Sequence, residues 1–87
     1  MSEATQRTIA VVDDDSAVRD SLRLLLEVMG YLVKTFESAA ELLNTGLQNL
    51  ACLILDHHMP HMTGLELAER LRADGTAIPI LLITCEF

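Results

Sequence analysis

Short, uninterrupted apolar runs are the feature that most limits the folds open to this chain of 87 residues. TIAVV (8–12), ACLIL (51–55) and IPILLIT (78–84) are shorter than ordinary helices and do not alternate polar with apolar side chains. Strands of this composition have both faces covered, as in parallel sheets. A fourth segment, YLVKTF (31–36), also has β character. The sequence therefore predicts four strands, three of them buried on both faces.

Helical patterns occupy the three intervals between the predicted strands. Each pattern combines apolar residues three or four positions apart, or a capping motif, with residues that favour helix ends. In the first pattern the apolar positions are Val18, Leu22, Leu25 and Met29, Asp15 or Ser16 is the N-cap, and Gly30 ends the helix. In the second, Ser38 and Glu41 form a capping-box pattern and Gly46 ends the helix. In the third, the apolar positions are Leu65, Ala68 and Leu71, and the pair 74–75 ends the helix. The resulting order, βαβαβαβ, predicts an α/β fold in which helices flank a parallel sheet and the crossovers are right-handed.

The composition predicts one small domain that binds neither nucleic acid nor membranes. Hydrophobic residues make up 51% of the chain, and a formal net charge of −7 repels phosphate backbones and anionic lipid surfaces. The N-terminal MSEATQRT does not resemble a secretory signal, and no apolar run approaches the length of a membrane span. We therefore expect a cytoplasmic protein in which Cys52 and Cys85 are reduced thiols.

Oxygen-bearing side chains follow three of the predicted strands. The acidic run 13–15 (DDD) comes after the first strand, Asp56 follows the third, and Thr84 closes the fourth. Because ligands of open α/β sheets bind at the carboxyl ends of the strands, we expect these side chains at one edge of the sheet. Closely spaced carboxylates repel one another unless a cation neutralises them, and Mg²⁺ prefers oxygen ligands. The pattern therefore predicts a magnesium site at this edge.

Asp56 is the candidate reactive group, since it stands alone after the central apolar run. A carboxylate can attack a phosphoryl group and form an acyl phosphate when a metal and hydrogen-bond donors offset the charge. The hydroxyl of Thr84 could donate a hydrogen bond to a phosphoryl oxygen. The competing interpretation is structural: the run 13–15 caps the first helix and Asp56 caps the third. The convergence of three strand ends favours the functional interpretation.

Three blocks of the sequence resemble bacterial two-component response-regulator receiver domains, most closely those of FixJ-like transcriptional regulators. The blocks are VVDDDSAVRDSLRLLLEVMGY, LILDHHMPHMTGLELAERLR and IPILLIT, and they cover nearly the whole chain. The joint spacing of the acidic pair, the D-x-x-M-P-x-x-[ST]-G pattern and the strand-four threonine carries the resemblance. It implies a flavodoxin-like receiver fold over residues 1–87, with strand order 2-1-3-4.

The resemblance also implies roles for individual residues. Asp56 matches the phospho-accepting aspartate, Asp13 and Asp14 match the acidic pair, and Thr84 matches the switch hydroxyl. In the family the second acid of the pair, here Asp14, binds Mg²⁺ directly with the phospho-acceptor and the backbone carbonyl two residues beyond it, here that of His58. The first acid, Asp13, would act mainly through water.

All three histidines lie in ILDHHMPHMTG (54–64), which raises the alternative of a transition-metal site. His57 and His58 are adjacent and tend to point apart, and the turn at Pro60 offers no helical i,i+4 pair. We therefore interpret the histidines as neighbours of the reactive aspartate. The resemblance places His58 and Glu86 at the two positions where the family tunes the lifetime of the phosphoryl group.

A complete receiver of this family continues beyond its fourth strand with a helix, a fifth strand that ends in a lysine, and a final helix. No lysine of this sequence matches, since Lys34 is the only one and lies in the predicted second strand. The expected lysine would pair with the phosphoryl group. We therefore interpret the chain as a C-terminally truncated receiver. Without a fifth strand the fourth would form an apolar edge, so we expect self-association there.

These features predict a phospho-accepting signalling module of a two-component system. Asp56 would take a phosphoryl group from a sensor histidine kinase with Mg²⁺, and a rearrangement at Thr84 would alter partner binding. A DNA-binding output domain in a longer chain would be a further partner. We expect no enzymatic activity beyond the module's own phosphoryl transfer and dephosphorylation. The alternative is a pseudo-receiver or dimerisation module that binds partners without being phosphorylated.

Overall fold

The structure is a computed structural model that describes residues 8–84. In this range it contains β1 (Thr8–Val12), α1 (Ser16–Val28), β2 (Leu32–Phe36), α2 (Ala39–Thr45), β3 (Leu50–Asp56), α3 (Gly64–Ala73) and β4 (Ile80–Ile83). All strand pairs are parallel, and the sheet order is β2-β1-β3-β4. The predicted βαβαβαβ order and the flanked parallel sheet are therefore confirmed. No helix within residues 8–84 is long and apolar enough to cross a lipid bilayer.

The sheet separates two apolar cores. Helices α2 and α3 cover one face, on which Val12, Leu53 and Leu55 are completely buried. Helix α1 covers the other face, where Leu26 belongs to the same cluster as Val11. Because successive side chains of a strand point to opposite faces, every residue of β1 is buried. The central strands β1 and β3 are thus fixed on both sides, and so are the residues that follow them.

Side-chain caps begin the helices. The Oδ1 atom of Asp15 accepts a hydrogen bond from the N–H of Ala17 (2.9 Å) at the start of α1. Thr63 and Glu66 form a capping box at the start of α3, in which each side chain accepts a hydrogen bond from the other residue's N–H. The interpretation in which Asp56 caps the third helix is therefore wrong, because Thr63 does so.

Strand β4 is shorter and more exposed than the sequence predicts. It spans Ile80–Ile83, whereas the predicted strand spans 78–84. Pro79 has no N–H to donate to a neighbouring strand, although its carbonyl accepts a hydrogen bond from the N–H of Leu53 (2.9 Å). Within the described residues β4 pairs with β3 alone, and Leu81 is 54% exposed. The expectation of burial on both faces is therefore wrong for this strand within that range.

The expectations about the lysine and the two cysteines are tested only in part. Lys34 lies in β2, as predicted. Cys52 is a free thiol of β3, partly buried against the core on the α1 side. Cys85 and Glu86 lie outside the described residues, so the expectations about them stay predictions.

Candidate functional site

Three carboxylates meet at the carboxyl ends of β1 and β3. Asp13 follows β1 directly, Asp56 is the last residue of β3, and Asp14 lies in the turn before α1. Because Val12 pairs with Leu55 in neighbouring strands, Asp13 and Asp56 leave the sheet side by side. Oxygen atoms of the three aspartates all lie within 4.8 Å of one another. The structure thus brings together the acids that the sequence placed at this edge.

A cavity of about 220 Å³ opens beside the three aspartates. Asp15 and His58 add polar atoms to its lining, while Val18 and Ile83 supply apolar surface. These last two residues come from α1 and β4, so a helix and an edge strand both contribute to the wall. The volume corresponds to several water molecules, at about 30 Å³ each, and therefore suits a hydrated cation or a phosphoryl-sized group.

The electrostatics of the site are most evident at Asp13, which is only 4% exposed. Burial raises the pKa of this carboxyl above its usual value of 3.8, and the negative charges of Asp56, Asp14 and Asp15 raise it further. The N–H of Asp15 donates to Asp13 Oδ1 (2.9 Å) and partly opposes this shift. A positive charge bound among these groups would remove the repulsion, which favours cation binding.

The backbone around Asp56 is held by contacts from both sides. The N–H of His58 donates to Asp56 Oδ1 (3.2 Å), and the N–H of His57 donates to the carbonyl of Ile83 in β4 (2.9 Å). The N–H of Gly64 donates to the carbonyl of His57 (3.2 Å). A Cβ atom at Gly64 would lie 2.5 Å from the carbonyl oxygen of Asp56, so this close approach requires glycine.

Arg19 contributes to the site in a way that the sequence patterns did not predict. Its Nη1 atom donates a hydrogen bond to the backbone carbonyl of Asp13 (2.8 Å) and ties the first turn of α1 to the end of β1. The only signal in the sequence is an arginine six positions after the acid. That spacing becomes informative only when α1 is known to fold back beside β1.

Two further residues of the predicted site lie at or beyond the limit of the described chain. Thr84 immediately follows β4 and is exposed. Its neighbour Ile83 pairs with Asp56, so Thr84 lies at the same edge of the sheet as the aspartates, but it is not one of the residues that line the cavity. Glu86 lies outside the described residues.

The histidines do not form a metal site within residues 8–84. The rings of His57 and His58 meet edge to face, with centroids 5.2 Å apart and an interplanar angle of 72°. In this range the aspartates form the only group of three potential metal ligands with mutually close donor atoms. Nδ1 of His57 is buried and has no hydrogen-bond partner among the described residues. The histidine-cluster alternative therefore has no support from the described structure.

The chemistry of the donor set suits a hard divalent cation. Asp13, Asp14 and Asp56 offer only carboxylate oxygens, and Mg²⁺ is commonly held by one or two carboxylates with water completing an octahedron. Soft ligands are absent from the described lining of the cavity. The residues therefore fit Mg²⁺, as the sequence analysis expected.

A parallel sheet of order 2-1-3-4, with an acidic cavity at the carboxyl ends of its strands, defines a flavodoxin-like α/β domain. The comparison with protein families is more specific. Residues 9–86 match the family model of the response regulator receiver domain, and the chain belongs to this family. The resemblance found in the sequence blocks is therefore confirmed.

Individual relatives agree with this assignment. The chain is 40% identical over 82 residues to the transcriptional regulatory protein FixJ of Bradyrhizobium diazoefficiens, covering 92% of this chain and 40% of that protein. The solved structure of the response regulator StyR superimposes with a TM-score of 0.87 at 43% identity, covering 94% of this chain and 42% of the other. The chain thus spans less than half the length of each of these two relatives.

A third relative has been solved with ligand and partner. The response regulator TrrA of Thermotoga maritima, in complex with Mg²⁺-BeF, gives a TM-score of 0.82 at 31% identity, with 93% of this chain and 71% of the other covered. A second structure holds TrrA in complex with the histidine kinase ThkA and gives a TM-score of 0.83 at 34% identity, with 92% and 70% covered.

Proposed function

We propose that this domain accepts a phosphoryl group on Asp56 from the phosphohistidine of a sensor histidine kinase. The observation that carries the proposal is the cluster of Asp56 with Asp13 and Asp14 beside a cavity at the carboxyl ends of the strands. Membership of the receiver family supports it, as does the similarity to TrrA, which has been solved in complex with a histidine kinase.

The two oxygens of the Asp56 carboxylate have different surroundings. Oδ1 accepts the N–H of His58, so we assign the attack on phosphorus to Oδ2. A new O–P bond forms while the N–P bond of the phosphohistidine breaks, and the released imidazole takes a proton from solvent. The product is an acyl phosphate on Asp56, whose position depends on the backbone contacts of the 57–64 loop.

In this proposal Asp13, Asp14, Asp56 and the backbone carbonyl of His58 hold Mg²⁺, with Asp13 acting mainly through water. The bound ion supplies positive charge that offsets the negative charge on the phosphoryl oxygens. The chain's own contribution is to hold the acids in place before the reaction. Burial of Asp13 and the hydrogen bond from Asp15 serve this purpose.

The remaining assignments rest on the family. The hydroxyl of Thr84 donates to a phosphoryl oxygen, and its movement changes partner binding. His58 and Glu86 adjust the access of water to the acyl phosphate and so its lifetime. The domain acts in the cytoplasm, and in a longer chain it controls a DNA-binding output domain, by analogy with transcriptional regulatory proteins such as FixJ. The chain catalyses only its own phosphoryl transfer and dephosphorylation.

Intact-mass spectrometry after incubation with acetyl phosphate and Mg²⁺ tests the proposal. We expect one phosphoryl group to be added to the wild-type chain and none to Asp56→Asn. The matched control is Asp74→Asn, which changes an acid at the far end of α3 and should leave the mass gain intact. A wild-type chain that gains no mass, or an Asp56→Asn chain that still does, would contradict the proposal.

A second candidate function is partner binding without phosphorylation. One observation favours it: β4 presents exposed apolar side chains, Leu81 and Leu82, on a strand that has one pairing partner among residues 8–84. Such an edge can pair with another chain, and we propose that copies of this chain associate there. Unchanged partner binding by Asp56→Ala would support this function over the first.

A further inference from the structure

A second cavity lies between α2 and α3, away from the acidic site. Its volume is about 290 Å³, and its apolar lining comes from Ala39, Ala40, Leu43, Pro60 and Met62. We refer to it as the α2–α3 groove. Leu43 and Met62 pack against the core below, so the floor of the groove belongs to the rigid part of the fold. The phosphoryl-transfer chemistry proposed above does not use this groove.

Polar side chains border the apolar floor. Arg70 of α3, His61 of the preceding loop and Ser38 at the start of α2 complete the lining. Among residues 8–84, the side chains of Arg70 and His61 have no hydrogen bond or ion pair. An unpaired guanidinium beside an apolar surface favours an anionic ligand.

Two acids close to the groove in sequence take part in helix caps. Glu41 accepts a hydrogen bond from the N–H of Glu37 (2.8 Å), and Glu66 accepts one from the N–H of Thr63 (2.9 Å). Their carboxylates are therefore directed to helix caps.

The backbone at His61 is strained. Its φ is +71°, and the N–H of Met62 donates to the carbonyl of Pro60 (2.8 Å), which closes a three-residue turn around it. A side chain other than glycine rarely adopts this conformation, and such strain occurs preferentially at ligand sites. The turn directs the chain along one wall of the groove.

The dimensions favour a small molecule over a peptide. Helix α2 has seven residues and is therefore about 10 Å long, which is too short to seat a recognition helix of several turns. A volume of about 290 Å³ is close to the lower limit of small-molecule pockets, at roughly 300 Å³. A ligand of this size would have an apolar body and one charged group.

We propose that the α2–α3 groove binds a small apolar carboxylate, an aliphatic or aromatic acid. Its hydrocarbon body lies on Leu43 and Met62, and its carboxylate pairs with Arg70. Ser38 and His61 border the same space and add polar contacts at the rim. The proposal concerns a site separate from Asp56 and does not depend on phosphorylation.

Methyl NMR titration of the full 87-residue chain with octanoate tests the proposal. We expect saturable shifts at the methyl groups of Ala39, Ala40, Leu43 and Met62. Octanol, which has the same body without the charge, should bind at least about tenfold more weakly, and Arg70→Gln should weaken octanoate binding by about tenfold. The matched control is Lys34→Gln, which removes an exposed positive charge from β2 and should bind octanoate as the wild type does.

Because Arg70 is exposed, Arg70→Gln should keep the wild-type spectrum in the absence of ligand. The absence of saturable shifts in the groove would overturn the proposal. Equal binding of octanol and octanoate would overturn it too, as would an equal loss of affinity in Arg70→Gln and Lys34→Gln.

Discussion

The guanidinium of Arg19 donates a hydrogen bond to the backbone carbonyl of Asp13 across 2.8 Å. The carboxylate of Asp13 is held separately, by the N–H of Asp15 at 2.9 Å. Two contacts therefore hold the turn that carries the acidic pair, one from α1 and one from within the turn. Both contacts act on the residue that shares the acidic cluster with Asp56.

Replacing Arg19 should weaken the cation site. Arg19→Met keeps an unbranched apolar stem and removes the donor, so we expect roughly fivefold lower affinity for Mg²⁺, which corresponds to the loss of about 1 kcal/mol. Calorimetric titration at a temperature where the chain is fully folded measures this effect. Arg23→Met is the matched control, since Arg23 lies on the same helix and pairs with Glu27 (3.5 Å). Unchanged Mg²⁺ affinity in Arg19→Met would contradict a positioning role.

The raised pKa of Asp13 predicts a pH-dependent gain in stability from Asp13→Asn. The folded chain disfavours the ionised carboxyl, so the stability that this group contributes is complete below its usual pKa of 3.8 and is lost as the pH rises through the higher folded value. We therefore expect Asp13→Asn to match the wild type near about pH 3 and to be more stable by about 1 kcal/mol at about pH 7 without Mg²⁺.

Denaturant titrations at the two pH values, with and without Mg²⁺, measure this gain. Mg²⁺ should stabilise the wild type more than Asp13→Asn, because the substitution removes a carboxylate from the site. The control is Asp20→Asn, which removes the same charge from an exposed position of α1. If Asp20→Asn stabilises the chain as much as Asp13→Asn at the higher pH, net charge and not burial is the cause.

The close approach of α3 to the end of β3 predicts a severe effect of Gly64→Ala. The new Cβ would lie 2.5 Å from both the carbonyl oxygen of Asp56 and Cδ1 of Leu82. The carbonyl is backbone and cannot turn away as a flexible side chain can, so we expect a loss of about 3 kcal/mol in the free energy of unfolding. Thr63→Ala, which removes the neighbouring cap, should cost only about 1 kcal/mol. If urea denaturation gives the two variants equal losses in the free energy of unfolding, small shifts of the neighbouring atoms relieve the contact at Gly64.

The exposed edge of β4 predicts that the 87-residue chain associates with itself. Leu81→Lys places a charge on this edge and should shift the chain to monomers in sedimentation velocity at micromolar concentration. Leu24→Lys is the control, because Leu24 is a similarly exposed leucine (65%) that belongs to α1 and not to the sheet. A wild-type chain that remains monomeric would refute the idea.

The described strands and helices follow closely from local patterns. The predicted strand TIAVV begins and ends at the same residues as β1. Asp15, one of the two residues predicted as the N-cap of α1, is the N-cap in the structure. Such features depend on neighbours in the sequence, which is why spacing alone reveals them. The expected length of β4 and its burial on both faces were wrong, because burial of an edge strand depends on what packs beside it and not on its own composition; the apolar edge that the sequence analysis expected there is a separate expectation.

In the candidate site, too, some features follow from the sequence and others only from the tertiary structure. The order of strands and the acids that follow them placed Asp13, Asp14 and Asp56 at one edge, since parallel strands end on the same side of a sheet. The sequence by itself therefore determined the βαβαβαβ order, the acidic edge and the family. Only the tertiary structure decided the contacts of Arg19 and Gly64 and the α2–α3 groove, because each depends on a distance between elements that local patterns do not encode.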